Sequence, residues 1–242
     1  MFANYHTHTA RCHHATGEDK AYVEAAIQNG FQVLGFSDHC PWIFSDGYVS
    51  PIRMTPDELD GYVTSLTALK KEYAADITIY IGLESEYVPE MLPEQQKFLQ
   101  DYPIDYQILG EHFLYPEQRG IYTGRPTDNA AELKHYVDQV IAGMETGNYL
   151  YLAHPDLFHF IGDPALYEQE FRRLCVYLKE KQIPIEINQL GLADHRQYPN
   201  PAFLKIAESV GNTAIIGCDA HHPSSLLDTD SQQACKKLAE QY

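Results

Sequence analysis

The stretch "NYHTHTARCHH" places His6, His8, His13 and His14 within nine positions, four of the twelve histidines in the chain. Imidazoles at that density bind metal ions or move protons near neutral pH. Further groups of the same chemistry recur along the chain. They are Asp38 with His39, Glu84 with Glu86, Glu111 with His112, His154 with Asp156, Glu186 with Asn188, and Asp219 with His221 and His222. Acids and imidazoles brought to one place would repel and desolvate one another, because buried charges need partners or metals. Divalent cations resolve that conflict. Mixed imidazole and carboxylate ligation suits Zn, Mn or Fe. Two ions about 3.5–4 Å apart can share a carboxylate and a hydroxide, and activate water at neutral pH.

Each group closes a short β-branched or aromatic run that precedes a helical stretch. The runs are "FANYHTH", "FQVLGFSDH", "ITIYIGLESEYV", "DYQILGEHF", "YLYLAHPDLF", "IPIEINQ" and "NTAIIGCDAH". The helices are expected from about Glu18 to Asn29-Gly30, from "TPDE" onward, near Glu94–Gln100, at Asp128–Glu145, at Leu166–Lys181, from Asn200-Pro201 to Gly211, and near Gln232–Gln241. Thr16 with Asp19, and Thr55 with Glu58, have capping-box spacing. Seven strand-helix units imply one α/β domain, 1–242, on a mostly parallel sheet. No GxGxxG or GxxxxGK follows the first strand, so a nucleotide-binding open sheet has no support and a barrel is the alternative. In such barrels functional groups gather at the C-terminal strand ends. Residues i and i+2 of a strand face the same way, so His6 and His8 aim inward together, as Asp219 and His221 do if the strand reaches them.

Composition narrows the partners. With 17 Lys+Arg against 34 Asp+Glu, the formal charge is −17, which repels nucleic acid phosphates and anionic membranes. It leaves open a small phosphorylated substrate, because bound cations invert the local field. Five cysteines without a CxxC pair argue against a disulfide framework. The expected location is the cytoplasm, from the lack of a signal-peptide pattern or a long apolar run.

Together "HTH", "SDH", "GLE", "GEH", "AHPD" and the late "DAH" resemble the polymerase-and-histidinol-phosphatase (PHP) superfamily over nearly the whole chain, and "EIN", "GL" and "YPNP" are most similar to its histidinol-phosphatase branch. The resemblance implies a distorted (β/α)7 barrel, similar to a TIM barrel, with three divalent ions at its C-terminal mouth. By motif, His6, His8, Glu84 and Asp219 resemble ligands of a first ion. Glu84, His112 and His154 resemble those of a second, and His14, His39 and His221 those of a third. His14 is chosen over His13 because the family's ligand usually lies six residues beyond the second His of "HTH". The implied reaction is hydrolysis of a small phosphorylated metabolite, L-histidinol phosphate first, by a metal-bridging hydroxide. The proton for the leaving group is expected from Asp38, His195 or metal-bound water. Arg196, His159, Arg125 and Arg11 are candidate substrate contacts. Two positions depart from the branch pattern: His159 stands near where a basic residue often follows the His-Pro-Asp, and Arg196 comes late after "GL".

Plainer readings apply elsewhere. His135 falls within a helical stretch and reads as surface or packing. Glu111 and His222 read as loop residues or as orienters of ligand imidazoles. Cys12, Cys40 and Cys218 read as small packing residues. Two other functions are weighed against the phosphatase: an amidohydrolase-like hydrolase, which also uses HxH on a first barrel strand, and a metal-binding module without turnover. His14 and His39 count against the first, and the complete ligand set against the second.

Overall fold

Local chemistry sets the helix ends. Asn200 caps the helix Pro201–Val210 by accepting from Ala202 N at 2.8 Å, with Pro201 in the first turn and Gly211 at φ +80° closing it. Thr55 and Glu58 form the expected capping box around a 3₁₀ turn that leads into the helix Leu59–Glu72. The capping box expected at Thr16 and Asp19 does not form. The Asp19 carboxylate is taken instead by Arg11, at 2.9 and 3.0 Å, and by Ser65 Oγ at 2.6 Å, so the helix Asp19–Gln28 starts without a side-chain cap.

The computed structural model describes residues 2–240 and Tyr242. Its helices are α1 Asp19–Gln28, α2 Leu59–Glu72, α3 Leu92–Leu99, α4 Ala130–Glu145, α5 Pro164–Glu180, α6 Gln189–Ala193, α7 Pro201–Val210 and α8 Thr229–Ala239. The short α6 was not expected: the Asn188 side chain caps it by accepting from Gly191 N at 2.9 Å. Asp228 caps α8, so that helix starts before Gln232. The expected end at Gln241 lies outside the described residues. No described helix is long and apolar enough to cross a membrane.

The strands are β1 Ala3–Asn4, β2 Val33–His39, β3 Thr78–Ser85, β4 Tyr106–Leu109, β5 Ile185–Asn188 and β6 Ala214–Gly217. β1 to β4 form one parallel sheet in chain order, and β5 pairs with β6, also in parallel. Single parallel bridges join these pieces. Leu152 pairs with both Leu109 and Ile185, and Thr7 pairs with Ala220. The seven parallel segments therefore close on themselves, each followed by a helix, in a distorted (β/α)7 barrel. The fifth run supplies one bridging residue rather than a ladder, because the chain turns away at His154, whose φ is +26°.

The core has two main parts. Tyr22, Phe36, Tyr62 and Leu66 pack α1 and α2 onto β2 and β3. Tyr136, Phe171, Leu174 and Phe203 pack α4, α5 and α7 around β5. Each such side chain, fully buried, stabilises by about 1.5–3 kcal/mol. Between the strands, Tyr106 lies across Gly35 and Gly82, where a Cβ would collide with its ring. Its hydroxyl donates to Tyr5 O at 2.7 Å and Phe36 O at 3.0 Å. The barrel's other end is left for polar side chains.

Candidate metal centre

Glu84 is the focus of that end. It stands on β3 directly across from His39 on β2, so the strand register alone sets these two side by side. Its Oε1 lies 2.8 Å from His154 Nε2 and 3.5 Å from both His6 Nε2 and His112 Nε2. Its Oε2 lies 3.3 Å from His39 Nδ1 and 3.5 Å from His8 Nε2. One carboxylate, 1% exposed, thus faces five imidazoles. Gly110 makes this possible, since a Cβ there would run into the Glu84 carboxyl group.

Asp219 is a second focus. Its Oδ1 lies 3.1 Å from His8 Nε2 and 3.4 Å from both His6 Nε2 and His221 Nδ1. β6 ends at Gly217, so Asp219 and His221 are not carried inward by strand alternation. A turn brings them in, with Asp219 at φ +51°. Aspartate tolerates that conformation better than most residues. His14 completes the outer edge, its Nε2 3.0 Å from His221 Nε2. His13 points elsewhere, 3.9 Å from Glu58.

A ring of acceptors orients the histidines. His6 Nδ1 donates to Glu186 at 2.8 Å, His112 Nδ1 to Glu86 at 3.0 Å, His8 Nδ1 to Asp38 at 3.3 Å, and His14 Nδ1 to Cys12 O at 2.7 Å. A carboxylate only accepts, so in His6, His8 and His112 Nδ1 carries a proton and Nε2 faces the cluster. Metal-ligating histidines carry this same outer hydrogen bond. Glu186 and Glu86 were legible as strand-end acids but not as orienters. Arg53 was missed altogether. It is 1% exposed and holds Glu86 at 2.9 and 3.0 Å and Glu117 at 2.7 Å. It comes from an irregular loop, "SPIRM", with no motif to mark it.

The donors fit divalent cations. His6 Nε2, His8 Nε2, His39 Nδ1, Glu84 Oε2 and Asp219 Oδ1 are buried without a hydrogen-bond partner. Leaving such atoms unpaired costs about 1–3 kcal/mol each, and coordination would remove that cost. Ligand atoms converge within 4.8 Å in five overlapping groups: His6–His8–Asp219, His6–Glu84–His154, His8–His39–Glu84, His14–His39–His221 and His8–Cys12–His221. Despite burial, the surrounding carboxylates push His6, His8 and His154 above the ordinary imidazole range, so opposed charges are packed together here. Burial alone would raise Glu84 and Asp219, yet the imidazoles around them hold both well below the usual carboxylate range. Burial and the neighbouring His8 push His221 down to about 3 and also hold His39 low.

The cluster floors a cleft of about 490 Å³ whose upper wall includes Phe113, Tyr122, Leu157, Asp194, Arg196 and Tyr198. Of the expected substrate contacts, Arg196 lines this cleft and His159 does not. Arg125 is paired with Glu132 at 2.9 Å and Arg11 with Asp19, both away from the cleft. Neither expected side-chain proton donor lines the cleft. Asp38 accepts from His8, from His39 N at 2.8 Å, and from Thr9 N and Oγ1, and it does not line the cleft. His195 is exposed and outside the cleft wall. Glu111 accepts from Tyr87 N at 3.0 Å and touches no histidine, while His222 caps the 3₁₀ turn Pro223–Leu227.

Comparison with known proteins places this geometry. A family model described as the PHP domain matches residues 4–190. The probable histidinol-phosphatase of Deinococcus radiodurans is 28% identical over 233 residues, covering 91% of this chain and 86% of that protein. A candidate histidinol phosphatase from Listeria monocytogenes superposes with a TM-score of 0.75 at 21% identity, covering 95% of this chain and 99% of that one. The histidinol phosphate phosphatase of Lactococcus lactis, solved with Zn, L-histidinol and phosphate, gives a TM-score of 0.71 at 19% identity, covering 98% and 93%.

Proposed function

The chain belongs to the PHP-domain family, and on that premise we propose that it is a metal-dependent phosphatase acting on a small phosphate monoester, L-histidinol phosphate. The carrying observation is the Glu84 carboxylate held among five imidazoles, with Asp219 beside it at the floor of a cleft. The substrate comes from the Deinococcus radiodurans relative, matched over most of both chains. We assign His6, His8, Glu84 and Asp219 to a first ion, Glu84, His112 and His154 to a second, and His14, His39 and His221 to a third. Zn, Mn and Fe all suit this donor set, and Zn accompanies L-histidinol and phosphate in the Lactococcus lactis structure. Bound there, the ions supply Lewis-acid polarisation of phosphoryl oxygens and a water acidic enough to ionise near neutral pH.

The chain's own residues do the rest. Glu186, Asp38 and Glu86 hold His6, His8 and His112 in one tautomer, so nothing has to reorganise when ligands engage. Arg53, fixed by two carboxylates, keeps Glu86 ionised. Arg196 places a guanidinium in the cleft wall, where it meets phosphate oxygens two at a time. The aromatic wall of Phe113, Tyr122 and Tyr198 receives the organic part of the ester and displaces water. With Asp38 saturated by donors and His195 outside the cleft, the leaving alcohol takes its proton from solvent at the open mouth.

The test is phosphate release by purified protein loaded in turn with Zn, Mn and Fe. L-Histidinol phosphate should be the preferred ester and a chelator should abolish turnover. Hydrolysis of cyclic amides instead would favour the amidohydrolase reading. Metal binding without turnover of any ester would favour the non-catalytic one.

A further inference from the structure

Beyond the imidazole cluster and its two acids, only two charged side chains line the cleft among the described residues: Asp194 and Arg196. Both come from the loop between α6 and α7, and they pair with each other. Arg196 Nη2 lies 2.9 Å and Nε 3.3 Å from the same Asp194 oxygen, while Nη1 donates to Tyr198 Oη at 3.2 Å. The pair is half open to solvent, with side chains 49% and 39% exposed.

We propose that Asp194 is a specificity residue that binds a cationic nitrogen of the substrate, so that the cleft selects aminoalkyl phosphates over esters carrying negative charge alone. This rests on the phosphatase reading and concerns the organic end of the substrate. Substrate binding would exchange the partners of this pair. A phosphate dianion above the cluster competes for Arg196, because guanidinium binds planar and tetrahedral oxyanions through two parallel N–H bonds. The pair it displaces is exposed, and exposed ion pairs contribute little, so the exchange is easy. Asp194 is then left without a counter-charge in the cleft wall. A substrate ammonium restores the balance. A sugar phosphate or another purely anionic ester leaves Asp194 facing more negative charge, a repulsion that discriminates as strongly as any attraction. The alkyl or ring portion between the two charges lies on Phe113, Tyr122 and Leu157.

The experiment compares kcat/KM for L-histidinol phosphate with that for its deamino analogue, 3-(imidazol-4-yl)propyl phosphate, in the wild type, Asp194→Asn and Asp194→Glu. Both esters share the metal centre, the phosphate and the ring, so their ratio is insensitive to general damage. The wild type should prefer the amine-bearing ester. Asp194→Asn should reduce that preference about tenfold, mainly through KM, the size expected for a lost charge-assisted contact. Asp194→Glu should retain part of it. An identical ratio in the wild type and Asp194→Asn overturns the proposal. If the loaded enzyme cleaves simple phosphomonoesters but neither imidazole ester, the histidinol reading fails by itself. The ratio for O-phosphoethanolamine against ethyl phosphate then decides the role of Asp194 by the same criterion.

Discussion

The two halves of the barrel bring ligands to the same cluster by different means. In the first half, β2 and β3 form a seven-pair parallel ladder, and His39 and Glu84 are its last register partners. Their positions follow from ordinary strand geometry. In the second half the barrel is held by four-residue strands and single bridges. There His154 and Asp219 sit on turns at φ +26° and +51°. Such conformations cost about 1–3 kcal/mol each and persist only where the surroundings over-determine them. Regular structure thus fixes the centre of the site, and positive-φ turns bring His154 and Asp219 to it.

Substitutions that separate these two modes should differ in kind. The largest effect is expected for Glu84→Gln, because one oxygen pair serves five imidazoles. kcat/KM should fall by about 10³ or more, the upper end for loss of a transition-state electrostatic group, and bound metal per chain should fall with it. Asp219→Asn preserves a side chain that tolerates positive φ. The fold should therefore stay intact by circular dichroism while activity falls about 10²-fold. If Asp219→Asn unfolds the protein, the turn depends on charge rather than on backbone tolerance. Next comes Glu186→Gln, which weakens orientation of His6 without removing a ligand. Metal affinity should fall by about 10–100-fold, measured by competition with a chromophoric chelator. Removing the metals should lower Tm by several degrees, since 1 kcal/mol corresponds to roughly 2–4 °C in a chain of this size. The smallest effect belongs to the control. His13→Ala should leave kcat/KM within about twofold, as for a surface side chain that faces Glu58 rather than the cluster, whereas His14→Ala should lose one ion. A reversal of these two outcomes would move the loop register by one residue.

The same contrast explains what was legible in the sequence. Strand ends on β2 and β3 read directly, because alternation and apolar runs place His39 and Glu84 without tertiary information. By contrast, β1 ends at Asn4 and β4 at Leu109, so His6, His8 and His112 lie past their strands and are not placed by alternation. The helix signals at Thr55 and Asn200 also read directly, since they depend on neighbours along the chain. The Thr16–Asp19 signal failed because a tertiary partner, Arg11, took the carboxylate that a local cap would have used. The fifth strand shrank to a bridge because His154 turns the chain out of the ladder, which no propensity encodes. Arg53 was invisible because a loop arginine is ordinarily a solvated one. It is here the partner of two buried acids. Arg11 and Arg125 show the converse. Both lie in loops where a phosphate clamp was expected, and both are occupied by carboxylates of their own.

The most direct test of the central claim is a crystal structure of the metal-loaded protein with anomalous scattering at the metal edges. The account predicts three ions, with Glu84 bridging the first two and His14, His39 and His221 holding the third. Fewer than two ions at these positions, or Glu84 bound to none, would contradict it.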